Sequence, residues 1–290
     1  MPNLALGTAQ LGMRYGISHM DDMPTAEHVR ELISYAKKKQ IEVLDTASAY
    51  GESEARLGQN DVSGFKLVTK VSTVKKSHHL NLLDINDQLN DSLQRLNTSH
   101  LYGLLIHDSR VLVGDYGKSI WKNMISLREL GLVRKIGYSV YDPNELAVLV
   151  KSFRPDIVQL PLSIADQRFA HDGWLDKLQD LEVEIHARSI FLQGLLLMER
   201  EQRPSKFATA DPFFNEWDAW CETNACSRLT ECINFAMRYK QVKHIVVGAQ
   251  NVEQLRELVN ASNNATDTQV PGSLRVISPV ILNPSKWSEL

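Results

Sequence analysis

The sequence predicts an α/β protein built as one closed (β/α)8 barrel, and two observations carry this prediction. Eight short runs rich in Val, Ile and Leu alternate with helical periods over about 260 residues. The turn after the first run, GTAQLG at residues 7–12, lacks the GxGxxG spacing of open dinucleotide-binding sheets. A length of 290 residues is compatible with a single domain of this kind.

The eight runs are interpreted as parallel strands because they are too continuously apolar for strands exposed to water on one face. In chain order they are LALGTA (4–9), IEVLDTA (41–47), FKLVTKV (65–71), LYGLLIH (101–107), VRKIGYSV (133–140), DIVQLPLS (156–163), VEIHARSI (183–190) and HIVVGA (244–249).

Amphipathic helical periods separate these strands. The first covers residues 25–39 and begins with Thr25 as a plausible N-cap. His28, three residues later, is neither an acid nor an amide, so no capping box is expected. Similar periods predict helices over residues 85–97, 116–131, 142–153 and 252–262.

Two segments interrupt this alternation. Residues 191–225 form a long insertion after the seventh strand, and Trp217 and Trp220 within it favour an ordered flap. The residues after the last helix begin polar and become mildly apolar. We therefore divide the chain into a barrel over residues 1–263 and a C-terminal tail over residues 264–290.

Composition narrows the classes of partner. A net charge of −3 and a pI near 6.3 give no overall attraction to nucleic acid or to anionic membranes. No apolar stretch approaches the ~20 residues needed to span a bilayer, and the N-terminus has no secretion-signal pattern, so we expect a cytoplasmic protein. Cys221, Cys226 and Cys232 lack the spacing of a zinc site and are expected to be reduced thiols. The oligomeric state is left open.

Four polar residues lie at or just after the ends of three successive predicted strands: Asp45, Tyr50, Lys70 and His107. Barrel enzymes place their catalytic groups at the C-terminal ends of the strands, so these side chains are expected to meet at one mouth. A phenol needs help to act as an acid at neutral pH, and a nearby ammonium lowers its pKa. We expect Lys70 to provide that charge, Asp45 to hold Lys70, and a neutral His107 to orient a carbonyl oxygen.

Each of these residues also has a purely structural interpretation. Asp45 could cap a turn, Lys70 could be a solvated strand end, His107 could lie in the core and Tyr50 on the surface. Their joint occurrence on strands two, three and four favours a catalytic site. A lyase that forms a Schiff base on Lys70 is a second hypothesis, and a barrel that binds a cofactor without catalysis is a third.

The chain resembles the aldo-keto reductases along nearly its whole length. The motifs that carry the resemblance are GTAQLG, DTASAYGESEARLG, the TK of LVTK, the His of LLIHD, GLVRKIGYS, VQLPLS and VVGAQNVEQL, in the order found in that family. The resemblance implies a TIM barrel that binds NADPH or NADH across its mouth, uses no metal, and reduces an aldehyde or ketone. It implies that Tyr50 is the general acid, tuned by Lys70 and Asp45, and that His107 orients the substrate.

The same resemblance implies a set of cofactor-binding residues. Ser139 and Gln159 match positions that bind the nicotinamide carboxamide, although Val140 replaces the usual asparagine directly after the serine. Arg188 takes the place of an aromatic residue that stacks on the ring. Gln250 replaces the arginine that usually grips the 2′-phosphate, so the choice between NADH and NADPH stays open. The remaining predicted contacts are Gly7, Thr8, Asp45, Ser189, Gly194, Gly248 and Gln254.

Loops after the strands are expected to contact a small carbonyl substrate. The candidates are Arg14, Tyr15, Asp108, Ser109 and Arg110, with Trp217 and Trp220 as walls. The polar loop after His107 favours a hydroxylated or anionic substrate. The opening LGTAQLGMRYGI also resembles reductases of bacterial surface-polysaccharide pathways, which points to a sugar.

Overall fold

The computed structural model describes residues 2–17, 23–72, 83–266, 270–276 and 278–290. It confirms the predicted barrel, because eight parallel strands pair in chain order and β8 pairs with β1 to close the sheet. The strands are β1 (Asn3–Gly7), β2 (Val43–Asp45), β3 (Lys66–Val71), β4 (Leu101–Ile106), β5 (Val133–Ser139), β6 (Ile157–Pro161), β7 (Glu184–Arg188) and β8 (Val242–Gly248).

Helices surround this barrel and occupy every segment in which the sequence predicts one. Thr25 caps the first long helix, since its side chain accepts a hydrogen bond from the His28 amide. The helices are α1 (Ala9–Gly12), α2 (Ala26–Lys38), α3 (Ser53–Gly58), α4 (Leu83–Arg95), α5 (Gly117–Glu129), α6 (Pro143–Ser152), α7 (Arg168–His171), α8 (Trp174–Asp180), α9 (Asp211–Thr223), α10 (Arg228–Met237), α11 (Val252–Asn263) and α12 (Pro279–Leu282). Short 3-10 helices cover Ser109–Leu112, Leu192–Leu197, Arg200–Gln202, Ser205–Ala210 and Pro284–Glu289.

Strand residues alternate between two separate apolar layers. One set faces the helices and joins the large outer core, as Leu6 and Leu44 do. The other set fills the inside of the barrel with a small cluster formed by Ala5, Val43, Val68, Leu105 and Ile157. Side chains two residues further along each strand therefore face the same interior, one level closer to the mouth.

The insertion after β7 is ordered, as the two tryptophans indicate. Trp217 is fully buried, donates its indole N–H to the Leu196 carbonyl at 3.1 Å and stacks on Trp220 with the ring centroids 5.6 Å apart. Near the C-terminus, Trp287 packs edge-to-face on Phe207 of the same insertion at 4.8 Å. The boundary proposed at residue 263 remains a prediction.

A polar cluster occupies the barrel interior at the N-terminal ends of the strands. Glu184 accepts hydrogen bonds from Tyr102 and Lys135 and lies 2.8 Å from Nε2 of His186. His244 is buried against His186, with the ring centroids 4.9 Å apart, and its ring nitrogens have no hydrogen-bond partner among the described residues. The ligand atoms of Glu184, His186 and His244 lie within 4.8 Å of one another. The ammonium of Lys135, held on the same carboxylate, opposes a cation at this position.

In the part of the chain that the structure describes, none of the helices combines the length and the apolar character needed to span a bilayer.

Candidate active site

The alternation of the strands brings the predicted catalytic residues to one level of the barrel. Asp45, Lys70 and His107 each lie two residues after a member of the inner cluster, namely Val43, Val68 and Leu105. Gln159 follows Ile157 in the same way, and Gly7 follows Ala5. Side chains of one face repeat every second residue, so these residues form the layer directly above the inner core.

Asp45 and Lys70 form a buried ion pair in this layer. The Lys70 ammonium donates to Asp45 Oδ2 at 2.7 Å and to the Thr46 carbonyl at 2.9 Å. The side chain of Lys70 is only 1% exposed and that of Asp45 only 4%. The second carboxylate oxygen accepts from Gln159 Nε2 at 2.8 Å. Because every charged atom of the pair has a partner, the cost of burying the two charges is offset.

A close backbone contact fixes the loop that carries Tyr50. The Glu52 amide donates to the Gly12 carbonyl at 3.2 Å, and Gly51 has a left-handed φ of +56°. A Cβ on Gly12 would come within 2.1 Å of the Tyr50 carbonyl oxygen. The second glycine of GTAQLG is therefore required so that α1 can pack directly against the loop.

The Tyr50 ring lies between the ion pair and the histidine. Its centroid is 5.1 Å from the Lys70 ammonium, and it packs edge-to-face on His107 at 5.7 Å with an interplanar angle of 85°. Burial, and next the negative charge of Asp45, raise the pKa of Tyr50 above its ordinary value, while the charge of Arg188 lowers it. The expectation of a lowered pKa therefore differs from the structure, because burial outweighs the effect of nearby cations on the phenol. Tyr50 is consequently protonated at neutral pH.

His107 is uncharged at neutral pH, as expected. Burial is the largest cause that lowers its pKa, followed by the charges of Lys70 and Arg188, and the resulting value is about 4. Its Nδ1 lies 3.5 Å from the Ser72 hydroxyl. A neutral imidazole has one N–H to donate and one nitrogen that accepts.

A cavity of about 310 Å³ opens at the same mouth. Its lining includes Tyr50 and nine of the residues that the resemblance assigns to the cofactor: Gly7, Thr8, Asp45, Gln159, Arg188, Ser189, Gly194, Gly248 and Gln254. Two of the predicted cofactor residues do not line it, and neither do the predicted catalytic residues Lys70 and His107. Ser139 is almost fully buried behind Arg188. Gln250 lies beside the cavity, and its backbone N–H donates to Gln254 Oε1 at 2.8 Å.

Arg188 ends β7 and is held by three neutral oxygens. It donates to the Val140 carbonyl at 3.0 Å, to the Ser189 hydroxyl at 3.2 Å and to the Ser139 hydroxyl at 3.3 Å. Its guanidinium carbon lies 4.0 Å from the centroid of the Tyr141 ring, as in a stacked pair. Its orientation is therefore fixed on one side by hydrogen bonds and on the other by an aromatic face.

Gln10 and Glu257 are among the lining residues that were not predicted from the sequence. Gln10 is buried, and its Oε1 has no hydrogen-bond partner in the part of the chain that the structure describes. A Cβ on Gly248 would lie 2.6 Å from that atom. Glu257 lines the cavity on α11, three residues after Gln254. Helical spacing could have identified Glu257, since residues three apart share a helix face. For Gln10 the available signal was its place in GTAQLG at the end of β1.

The candidate substrate residues are only partly brought together. Tyr15 lines the cavity, with its ring centroid 6.4 Å from that of Tyr50. Asp108 and Arg110 pair with each other at 2.7 Å in an exposed position. The Ser109 hydroxyl turns inward and donates to the Ser139 carbonyl at 2.8 Å.

The other candidates lie outside the cavity lining. Trp217 and Trp220 are not part of it, because they pack within the ordered insertion. Arg14 is exposed and is not part of it either.

Comparison with known proteins identifies the family. The model of the Aldo/keto reductase family matches residues 3–277, and the chain belongs to that family. An uncharacterized oxidoreductase of Bacillus subtilis, YqkF, is 23% identical over 285 residues, which cover 89% of this chain and 90% of that protein.

Two solved structures share the fold. A holo aldo-keto reductase of Bacillus halodurans has a TM-score of 0.72 and 20% identity, over 92% of this chain and 88% of that one. A thermostable aldo-keto reductase, Tm1743, solved with the inhibitor epalrestat, has a TM-score of 0.69 and 22% identity, over 94% and 93%. The protein is thus an oxidoreductase of the aldo-keto reductase family with a (β/α)8 barrel.

Proposed function

We propose that the protein reduces a polar aldehyde or ketone to an alcohol, with a nicotinamide cofactor as hydride donor and Tyr50 as general acid. The observation that carries the proposal is the position of the Tyr50 phenol in the cavity wall, where its ring lies between the buried Lys70–Asp45 pair and His107. Tyr15 and Gln193 line the cavity with Tyr50 and supply polar atoms for a hydroxylated substrate, sugars among them.

Each catalytic side chain has one role in this proposal. The bound cofactor supplies a hydride to the carbonyl carbon. His107 donates its N–H to the carbonyl oxygen and orients it, and Tyr50 gives that oxygen a proton. The phenolate left on Tyr50 is stabilised by the nearby Lys70 ammonium, which Asp45 and the Thr46 carbonyl hold in place.

The cavity residues fit a nicotinamide dinucleotide. Gly7 and Gly248 end β1 and β8 without side chains, which leaves their backbone accessible. The unpartnered Gln10 Oε1 beside Gly248 is a buried acceptor that a ribose hydroxyl could satisfy. In this proposal the nicotinamide carboxamide lies toward Gln159 and Ser139, and the adenosine lies toward Gln254.

We propose further that NADH is preferred over NADPH. Arg188 is the single cation among the described residues that line the cavity, and it lies beside Tyr50, Gln159 and Asp45. The adenosine end carries Gln250 in place of an arginine and has the Glu257 carboxylate in its wall. A 2′-phosphate would meet a negative charge there, with no guanidinium to bind it.

The lyase hypothesis is less well supported by the same geometry. Schiff-base formation requires a neutral, accessible amine. The Lys70 nitrogen instead donates to two acceptors inside a buried ion pair, and Lys70 does not line the cavity.

Titration of tryptophan fluorescence with NADH and NADPH tests the cofactor proposal. We expect saturable binding of NADH, weaker binding of NADPH, and a Gln250→Arg variant that binds NADPH at least about ten-fold more tightly than the wild type does, as charge-assisted pairing requires. A Lys243→Arg variant is the control, because Lys243 is exposed and lies outside the cavity lining. Failure of both nucleotides to bind would contradict the proposed function.

A further inference from the structure

Arg188 places an uncompensated positive charge in the cavity wall. All its hydrogen-bond partners among the described residues are neutral oxygens, those of Ser139, Val140 and Ser189. The other cation of this layer, Lys70, differs in this respect because Asp45 lies 2.7 Å away. The end of the cavity near Tyr50 therefore carries the net charge of one guanidinium.

This charge acts on the reacting centre. Arg188 lowers the pKa of His107 and opposes the rise in the pKa of Tyr50, so its field reaches both side chains. It also contacts the predicted carboxamide site directly, since its Nε donates to the Ser139 hydroxyl and its side chain lines the cavity with Gln159. A nicotinamide bound by Ser139 and Gln159 would lie against this guanidinium.

We propose that Arg188 makes the site discriminate between the two redox forms of the cofactor, binding the reduced form more tightly than the oxidised form. The inference rests on the proposed function. The reduced nicotinamide ring is neutral and the oxidised ring carries one positive charge. Two like charges a few ångströms apart repel even in a water-like medium, and more strongly in a partly buried site. The oxidised cofactor is consequently the weaker ligand and leaves readily after each reduction.

The fixed geometry of Arg188 makes this effect specific to its charge. The hydrogen bonds to the Val140 carbonyl and to the Ser189 hydroxyl, together with the stack on Tyr141, prevent the guanidinium from turning away when a cation enters. A flexible lysine on the surface would instead move into solvent. The repulsion is therefore retained in the bound state.

The test is the ratio of the dissociation constants of NAD+ and NADH, measured at equal ionic strength by tryptophan quenching and by competition. In the wild type we expect NAD+ to bind at least about five-fold more weakly than NADH. Arg188→Met and Arg188→Gln remove the charge and should lower this ratio about five-fold or more. Arg188→Lys keeps the charge but loses the planar hydrogen bonds and the stack that fix Arg188, so it should lower the ratio less than the two neutral substitutions do.

Arg134→Met is the matched control, because Arg134 is exposed at the N-terminal end of β5. The ratio of the two dissociation constants in this variant should equal that of the wild type. A wild type that binds NAD+ as tightly as NADH would overturn the inference, even if the neutral variants do not fold. Equal changes of the ratio in the Arg188→Lys and Arg188→Met variants would also overturn the inference. Failure of the wild type to bind either form would instead contradict the proposed function.

Discussion

Single residues one level above the inner barrel core determine what the mouth can bind. At the ends of β1 and β8 these residues are Gly7 and Gly248, and at the ends of β2 and β3 they are Asp45 and Lys70. Side chains on β2 and β3 supply the buried ion pair, while missing side chains on β1 and β8 leave space. The same period-two rule therefore accounts for both the catalytic groups and the opening beside them.

Gly248→Ala tests the role of this opening. The new Cβ would lie 2.6 Å from Gln10 Oε1, so the Gln10 side chain must move while the barrel still folds. We expect NADH to bind roughly ten-fold more weakly in a titration, with little change in thermal stability. Gly272→Ala is the control, because a Cβ there meets nothing within 4 Å. Unchanged binding in Gly248→Ala would show that the cofactor does not approach this strand end.

At this scale the sequence predicts where polar side chains lie better than it predicts their electrostatics. Asp45, Lys70 and His107 could be located because each ends a recognisable strand. The direction of the pKa shift of Tyr50 could not be predicted, because it depends on how deeply the phenol is buried and on the nearby charge of Asp45. The inward turn of Ser109 depends on its contacts with Ser139 and Glu145, which are distant in sequence.

Among the elements, the insertion after β7 forms one side of the cavity. Its first 3-10 helix, Leu192–Leu197, contains Gly194 and Leu197 of the lining. Helix α9 supports it from behind, through the hydrogen bond from Trp217 to the Leu196 carbonyl. An ordered helix in the insertion therefore stabilises the cavity wall without touching the ligand.

Trp217→Phe tests this support. The substitution keeps most of the apolar surface but leaves the Leu196 carbonyl without its donor in a buried place, which costs about 1–3 kcal/mol. Urea unfolding should show that loss. Trp220→Phe changes the stacked partner in the same helix and should cost less, because Trp220 is only partly buried. Equal losses in the two variants would contradict the proposed support.

Helix prediction succeeded for five segments outside the strands, and it missed both the short helices and the longer α9 and α10 in and after the insertion. α2 and α11 were predicted because their apolar residues repeat over three turns. α3, with six residues, has no such repeat and is held by tertiary contacts of the buried Glu54 with Thr69 and Arg95. A sequence window contains none of those partners.

Across the whole molecule, buried histidines at both ends of the barrel set how stability depends on pH. Burial is the main cause that lowers the pKa of His244 to about 3 and that of His107 to about 4, both below the ordinary value of 6.5. Below pH 6.5 the unfolded chain binds protons that the folded chain does not, so unfolding becomes easier as the pH falls toward 4. Above pH 6.5 both histidines are neutral in the folded and in the unfolded chain, so their protonation no longer lowers the free energy of unfolding.

We expect the free energy of unfolding to fall by roughly 1–2 kcal/mol per histidine between pH 7 and pH 5, a range above that in which carboxyl groups titrate. Urea unfolding at several pH values measures it. His244→Gln should reduce this pH dependence, whereas a substitution at the exposed His100 should leave it as in the wild type. A pH-independent stability in this range would contradict the assignment.

The barrel as a whole was predictable because eight strand–helix units repeat a simple pattern. The ordering of the insertion was indicated only by its tryptophans. Nothing in the sequence indicated that Trp287 packs on Phe207. Such contacts join segments far apart in the chain, where no local periodicity records them.

The most direct test of the account is the turnover of the Tyr50→Phe variant with NADH and a polar aldehyde. The substitution removes the phenolic proton and keeps the ring that packs on His107. We expect cofactor binding to be unchanged and kcat to fall by about 10²- to 10⁴-fold, the contribution of a general acid. Wild-type turnover in this variant would contradict the assignment of Tyr50 as the acid.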